Sequence, residues 1–224
     1  MEIRLMSSPA ERRLFECGLV QARASSGVGF REKARSRVGQ LHLAFGRLYG
    51  VFDERSSEPD KIVGGFAIHA LDEFAQSYPK PDLTRYNPSA VFEAGEMWSA
   101  SRGVGLCSRL GCAMLLGLFQ AEALVVYPIS KPWDLTTYYK GLCKPVDEPI
   151  LWPFAETTAG DKIWVQAMVM EGEMLKAIVS RAFEWGFQTL DKHNILRFAN
   201  PLAMVQATLS VNRERGTREG APLH

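Results

Sequence analysis

Apolar residues recur at helical spacing in the middle of the chain. Leu106, Leu110, Ala113, Met114 and Leu118 predict a helix over residues 105–120. Short β-branched and aromatic runs lie on either side, at 91–98 and 123–127, and predict buried strands. Strand, helix and strand in that order make a βαβ unit with a right-handed crossover. Upstream, residues 47–53 and 62–69 carry strand patterns separated by polar turn residues, which predicts an antiparallel hairpin. Gly64 and Gly65 interrupt its second strand and predict a bulge or a close approach by a ligand or another backbone. At the N-terminus, residues 2–6 alternate as a strand does. Ser7-Ser8-Pro9 followed by Glu11 then predicts a helix entry, with the helix running to about Ala22. Downstream, Asp134 caps a short helix ending at Tyr139 or Lys140, and residues 143–146 start a further strand. Residues 163–170 alternate as the last strand, 171–183 form an amphipathic helix, and 202–209 suggest one more helix. Residues 24–37 and 72–89 lack a regular pattern, and 212–224 read as a mobile tail.

A chain of 224 residues with 46% hydrophobic and 23% charged residues suits one domain, placed at 1–211 with its core at 46–170. The formal net charge of +1 gives no overall field to attract nucleic acid or a membrane surface. Basic patches are local, at Arg12-Arg13 and between Arg31 and Arg37. Cys17, Cys107, Cys112 and Cys143 form no Cys-x-x-Cys pair and the four histidines are scattered, so no metal site is expected. The N-terminus lacks a secretory layout, and no apolar run reaches the roughly 18–20 residues of a membrane span. Free thiols in a reducing cytoplasm are the expectation.

The candidate chemistry starts at Arg102, Gly103 and Gly105, read as a turn just before the central helix. Such a turn leaves backbone N–H groups free, and the positive end of the helix dipole favours a phosphate there.

With those elements in order, the chain resembles the GNAT superfamily of N-acyltransferases. Arg102-Gly-Val-Gly105-Leu-Cys107 is similar to the family's acyl-CoA loop, Gln/Arg-x-x-Gly-x-Gly/Ala, except at Cys107. Glu96-Met-Trp-Ser99 is similar to the bulged end of the preceding strand. Tyr138-Tyr139-Lys140-Gly141-Leu142-Cys143-Lys144-Pro145-Val146 resembles the family's tyrosine-bearing element, with its Phe replaced. The resemblance implies an α+β fold: a mixed, largely antiparallel twisted sheet of 6–7 strands with helices on both faces, here with extra C-terminal helices. It implies an acyltransferase that moves an acyl group from acyl-CoA to the amine of a small molecule or amino acid by direct attack. Main-chain groups of Trp98, Ser99 and Ala100 would pair with pantetheine, and the backbone from Gly103 through Val104, Gly105, Leu106 and Cys107 to Ser108 would cradle the pyrophosphate beside Arg102. Ser130 stands where the family often has a pantetheine-contacting Asn.

Glu96 is the implied base. Glu93 lies on the other side of a regular strand. Tyr138 or Tyr139 resembles the family's tyrosine that faces the thioester sulfur, and Tyr138 fits the spacing better. His69 reads first as a satisfied structural histidine. Cys107 and Cys112, near a helix start, are candidates for a lowered pKa but have no matching His/Asp partner in the sequence. The implied partners are a small-molecule amine and a homodimer mate. Two alternatives stand beside this reading. One is an acyl-carrier-protein-dependent synthase of the N-acyl amino acid or acyl-homoserine lactone type. The other is a catalytically silent acyl-CoA sensor, kept open by Cys107 and Leu142-Cys143.

Overall fold

Each strand of the central hairpin alternates its side chains between two helical layers. The computed structural model describes residues 1–30, 47–54, 57–58, 60–70, 82–100, 102–193 and 197–198; for 29–30, 102–103, 153–155, 185–193 and 197–198 it describes the backbone only. β3 (Arg47–Phe52) and β4 (Ile62–Ala70) form the antiparallel hairpin that the sequence predicts. β1 (Glu2–Leu5) pairs antiparallel with β3, and β12 (Arg197–Phe198) closes that edge. On the other side, β4 pairs antiparallel with β5 (Val91–Ser99), and β5 pairs in parallel with β6 (Ala123–Val126). β11 (Met168–Glu171) and β8 (Lys144–Pro145) complete a sheet of order β12-β1-β3-β4-β5-β6-β11-β8.

Helix α1 (Pro9–Ser25) covers one face of this sheet. Its start follows the predicted capping box: Ser8 Oγ accepts from the Glu11 N–H at 3.3 Å and Glu11 Oε2 accepts from the Ser8 N–H at 2.8 Å. Such a cap contributes about 1 kcal/mol. Phe15 and Leu19 pack from α1 onto Leu48, Ala67 and Trp98. On the opposite face lie α2 (Arg102–Leu118) and α3 (Gly172–His193), joined to the sheet by a core that includes Phe66, Ile68, Phe92, Leu115, Leu116 and Leu175. Gly111 lets α2 sit close, since a Cβ there would lie 2.1 Å from Ile3.

Two features of the fold depart from expectation. The continuous alternation over 163–170 breaks into β10 (Lys162–Val165) and β11, which belong to different sheets. The change of partner falls at Gln166. Its N–H donates to the Pro128 carbonyl at 3.0 Å, on the side of β7 (Ile129–Lys131), while its side-chain amide donates to the Asp147 carbonyl and Ala167 next to it accepts from the Val146 N–H at 3.1 Å, on the β8 side. The segment after Pro149, for which the sequence reading gives no element, contains β9 (Ile150–Thr157). β2 (Val28–Phe30), β9, β10 and β7 form a second, four-stranded antiparallel sheet that the sequence reading lacks. The expected helix at 202–209, the tail at 212–224, the basic stretch at 31–37 and most of the insert at 72–81 lie outside the described residues.

Candidate functional site

β5 and β6 stay together for three residue pairs and then part. Val91, Phe92 and Glu93 oppose Ala123, Leu124 and Val125, while β5 continues alone to Ser99. The parting coincides with a bulge. Gly65 opposes Trp98 and Ala67 opposes Gly95, so two steps along β4 match three along β5. Glu96 takes up the extra residue with φ +49, a left-handed conformation that non-glycine residues adopt uncommonly. The bulge overturns the expectation for Glu93. In a regular strand Glu93 and Glu96 would face opposite ways; with the extra residue both line one cleft.

That cleft holds about 320 Å³, at the small end of ligand sites. Arg23 of α1 and Glu93, Glu96 and Met97 of β5 form one side. Tyr127, Ile129, Trp152, Ile163 and Val165, from the end of β6 and from the second sheet, form another, and Tyr139 closes the cleft with Leu135. Arg23 Nη2 donates to Glu96 Oε2 at 2.6 Å, an ion pair that ties the last turn of α1 to the bulge. Glu93 is 3% exposed, and its Oε2 lies 3.1 Å from Nε2 of fully buried His69 on the neighbouring strand. Burial, with the Glu93 carboxylate nearby, pushes the Tyr127 phenol up.

The tyrosine pair separates cleanly. Tyr138 is 76% exposed and points away from the cleft, whereas Tyr139 lines it and packs against the α2 core. Tyr139, the less favoured of the two by spacing, is therefore the tyrosine at the cleft. Burial holds its phenol above the ordinary value of 10.0, so it carries its proton through the neutral range. Both lie within the 3₁₀ turn Leu135–Tyr139, whose start Asp134 caps by accepting from the Thr136 N–H at 3.1 Å, as predicted.

The glycine segment is part of α2 and not a turn before it. Arg102, Gly103 and Gly105 lie in the first helical turn. The free N–H groups are those of that turn; the N–H groups of Leu106, Cys107 and Ser108 fall within the helix ladder. Val104, Cys107 and Ser108 are buried, and Ser108 Oγ donates to the Val104 carbonyl at 3.2 Å. Leu106 is exposed. Gly64 lets β4 approach the helix start, since a Cβ there would meet Val104 at 2.4 Å, and Gly105 stands 3.0 Å from Ser99 Oγ by the same measure. Burial raises the Cys107 thiol and pushes Cys112 up to about 12, which reverses the expected activation near a helix start.

At the end of β5, the Trp98 ring is buried in the α1 layer, edge-on to Phe15 at 5.9 Å. The Ala100 N–H donates to the Val63 carbonyl at 2.8 Å, so that donor is already used. By the alternation of an antiparallel ladder, the Ser99 main-chain groups turn away from β4 toward the gap. Ser130 lies on β7, outside the cleft lining, with its Oγ buried and without a hydrogen-bond partner. Among the described residues no His/Cys/Asp/Glu group is arranged to hold a metal ion, and no helix is long and apolar enough to cross a membrane.

The chain matches no protein-family profile and no curated protein sequence. Among solved structures it is similar to a CoA-dependent acyl-homoserine lactone synthase, BjaI, solved with MTA. The identity is 14%, the TM-score 0.53, and the alignment covers 93% of this chain and 98% of that one. The chain has the GNAT fold. A protein assigned to the GNAT family from Desulfovibrio desulfuricans aligns at 11% identity and a TM-score of 0.48, over 75% of this chain and 97% of that one. The GNAT sheet here carries the parted pair β5–β6 at its centre, with the second sheet beside it.

Proposed function

We propose that the chain is an N-acyltransferase that takes an acyl group from acyl-CoA and places it on the amine of a small molecule. The observation that carries the reading is the parting of β5 and β6 after Glu93, with a lined cleft at the opening. A strand missing its neighbour offers main-chain groups to an extended ligand. The amides of a pantetheine arm would pair there as a strand does, through Ser99. The first-turn N–H groups of α2 would take the pyrophosphate, with Gly103 and Gly105 permitting close approach.

Acyl transfer then needs little beyond positioning and two proton movements. The acceptor nitrogen attacks the thioester carbonyl, the C–N bond forms and the C–S bond breaks. The amine proton passes to the Glu93 carboxylate, with His69 at 3.1 Å behind it to share the charge. Tyr139 supplies a proton to the departing thiolate and recovers one from solvent, while Glu93 releases its proton to solvent, so both return to their starting states. Glu96, the base implied by the family resemblance, is held at 2.6 Å by the permanently charged Arg23 guanidinium, which weakens it as a base, so Glu93, beside the His69 imidazole, takes that role in this proposal.

The test is thermal unfolding with CoA and acyl-CoA species, followed by release of free thiol with a panel of amines. A ligand at 100 times its Kd stabilises the native state by about 2.7 kcal/mol. Stabilisation by CoA together with amine-dependent thiol release supports the reading; neither one at millimolar ligand sinks it. Stabilisation without thiol release would instead favour the sensor. Turnover with an acyl carrier protein as the sole effective donor would move the donor assignment.

A further inference from the structure

The second sheet presents one face to the cleft, and that face is apolar. Each strand contributes: Val28 from β2, Trp152 from β9, Ile163 and Val165 from β10, and Ile129 from β7. Ile163 stands directly opposite Trp152, and Val165 directly opposite Ile129, so the side chains form cross-strand pairs. Val28, Ile163 and Val165 are the buried centre of the patch. The outer strands of a flat four-stranded sheet stand about 14 Å apart. Here the ring of Trp133, just beyond β7, lies 3.8 Å from where a Cβ on Gly27, just before β2, would stand. The sheet is therefore curled, and its lining side chains make an apolar cup. The charged side chains of the lining, Arg23, Glu93 and Glu96, come from α1 and β5 on the other wall.

We infer that the cup holds the carbon chain of the donor, and that this donor carries an aliphatic acyl group longer than acetyl. This rests on the acyl-transfer reading and narrows its donor. A thioester at the parting of β5 and β6 brings its carbonyl beside Glu93, where the amine loses its proton. The acceptor nitrogen is thereby held to the charged wall. The carbons beyond the carbonyl have two directions open to them. Against Arg23, Glu93 and Glu96 they would strip water from charged groups with no compensating contact. Against Ile129, Trp152 and Ile163 each methylene leaves water for an apolar surface. A single methyl group cannot cover a face drawn from four strands; a longer chain does. The cup residues select the donor and take no part in the proton movements.

The test measures binding of free CoA, acetyl-CoA and hexanoyl-CoA by calorimetry without acceptor. It adds S-acetyl- and S-hexanoyl-N-acetylcysteamine, which carry the same thioesters without the nucleotide. Hexanoyl exceeds acetyl by four methylenes, each contributing about fourfold when buried, so hexanoyl-CoA should bind on the order of 100-fold more tightly than acetyl-CoA. Ile129→Asn, which sets an amide at the half-buried edge of the cup, should cut that ratio about 10-fold. Equal binding of the two acyl-CoAs overturns the inference and leaves the transferase reading standing. A ratio retained in Ile129→Asn also overturns it, as does a preference that follows the apolar size of the amine instead of the acyl chain. Should Ile129→Asn fail to fold, the wild-type series decides alone. Chain-length dependence without thiol release on adding amines would sustain the cup while sinking the transferase. Dependence confined to the N-acetylcysteamine thioesters would sustain the cup and remove CoA as the carrier. No binding of any thioester overturns both readings.

Discussion

The two halves of β5 are held differently. Val91–Glu93 is bonded on both sides, to β4 and to β6, and carries buried Phe92 and Glu93. Glu96–Ser99 is bonded on one side only, contains the bulge, and faces the gap. A doubly paired strand holds a side chain to a fixed position, which a proton acceptor needs. A singly paired strand leaves main-chain groups for a ligand, which a binding edge needs. The proposed site sits where one half becomes the other, so neither property is surrendered.

This division predicts that chemistry follows the paired half. Glu93→Gln should lower the rate of thiol release about 100- to 1000-fold while CoA binding persists. Glu96→Gln, which loosens Arg23, should cost closer to 10-fold and act on KM for the acceptor. If kcat falls further in Glu96→Gln than in Glu93→Gln, the roles are reversed and the division fails. The next test probes how tightly β4 supports both halves. A Cβ on Gly65 would meet the Tyr49 carbonyl oxygen at 2.7 Å, backbone that cannot yield, whereas one on Gly64 chiefly meets the end of the Val104 side chain. Gly65→Ala should therefore cost about 2–3 kcal/mol in urea unfolding and Gly64→Ala about 1–2 kcal/mol. The opposite order would place the rigid packing on the α2 face.

Tyr139→Phe should slow turnover about 10-fold, and Tyr138→Phe, on an exposed side chain, less than about 2-fold. Equal effects would detach the cleft from the thioester sulfur. The smallest effect belongs to Gly95, beside the bulge. A Cβ there reaches only Glu93 Oε1 at 3.7 Å, an ordinary contact. Gly95→Ala should change stability by less than about 0.5 kcal/mol. A large loss would mean that the bulge tolerates less than its geometry implies.

Local chemistry made much of the fold legible. The capping box at Ser8–Glu11, the hairpin β3–β4 and the β5–α2–β6 unit each announce themselves within a few residues of sequence. The second sheet does not, because its strands depend on distant partners. β9 begins just after Pro149 and contains Pro153, so its propensity is poor, and pairing with β2 and β10 overrides it. Residues 163–170 alternate without interruption, and their division at Gln166 and Ala167 shows only in contacts with distant residues, Pro128, Val146 and Asp147. At the site, the alternation rule placed Glu93 wrongly because one inserted residue leaves no mark on residue type. Gly95-Glu96 within the strand was the available signal. Tyr138 and Tyr139 are adjacent and chemically alike, and only burial tells them apart.

The bulge is also a phase shifter. Before it, the odd-numbered residue Glu93 faces the α1 layer; after it, the even-numbered Trp98 does, packed on Phe15 and against Gly18. A β5 shortened by one residue would stay a good strand by composition, yet it would turn Ser99 into the α1 core and aim the Trp98 ring at the start of α2. The reading frame of this strand is thus written twice, once on each side of residue 96, and one left-handed residue keeps the two frames consistent.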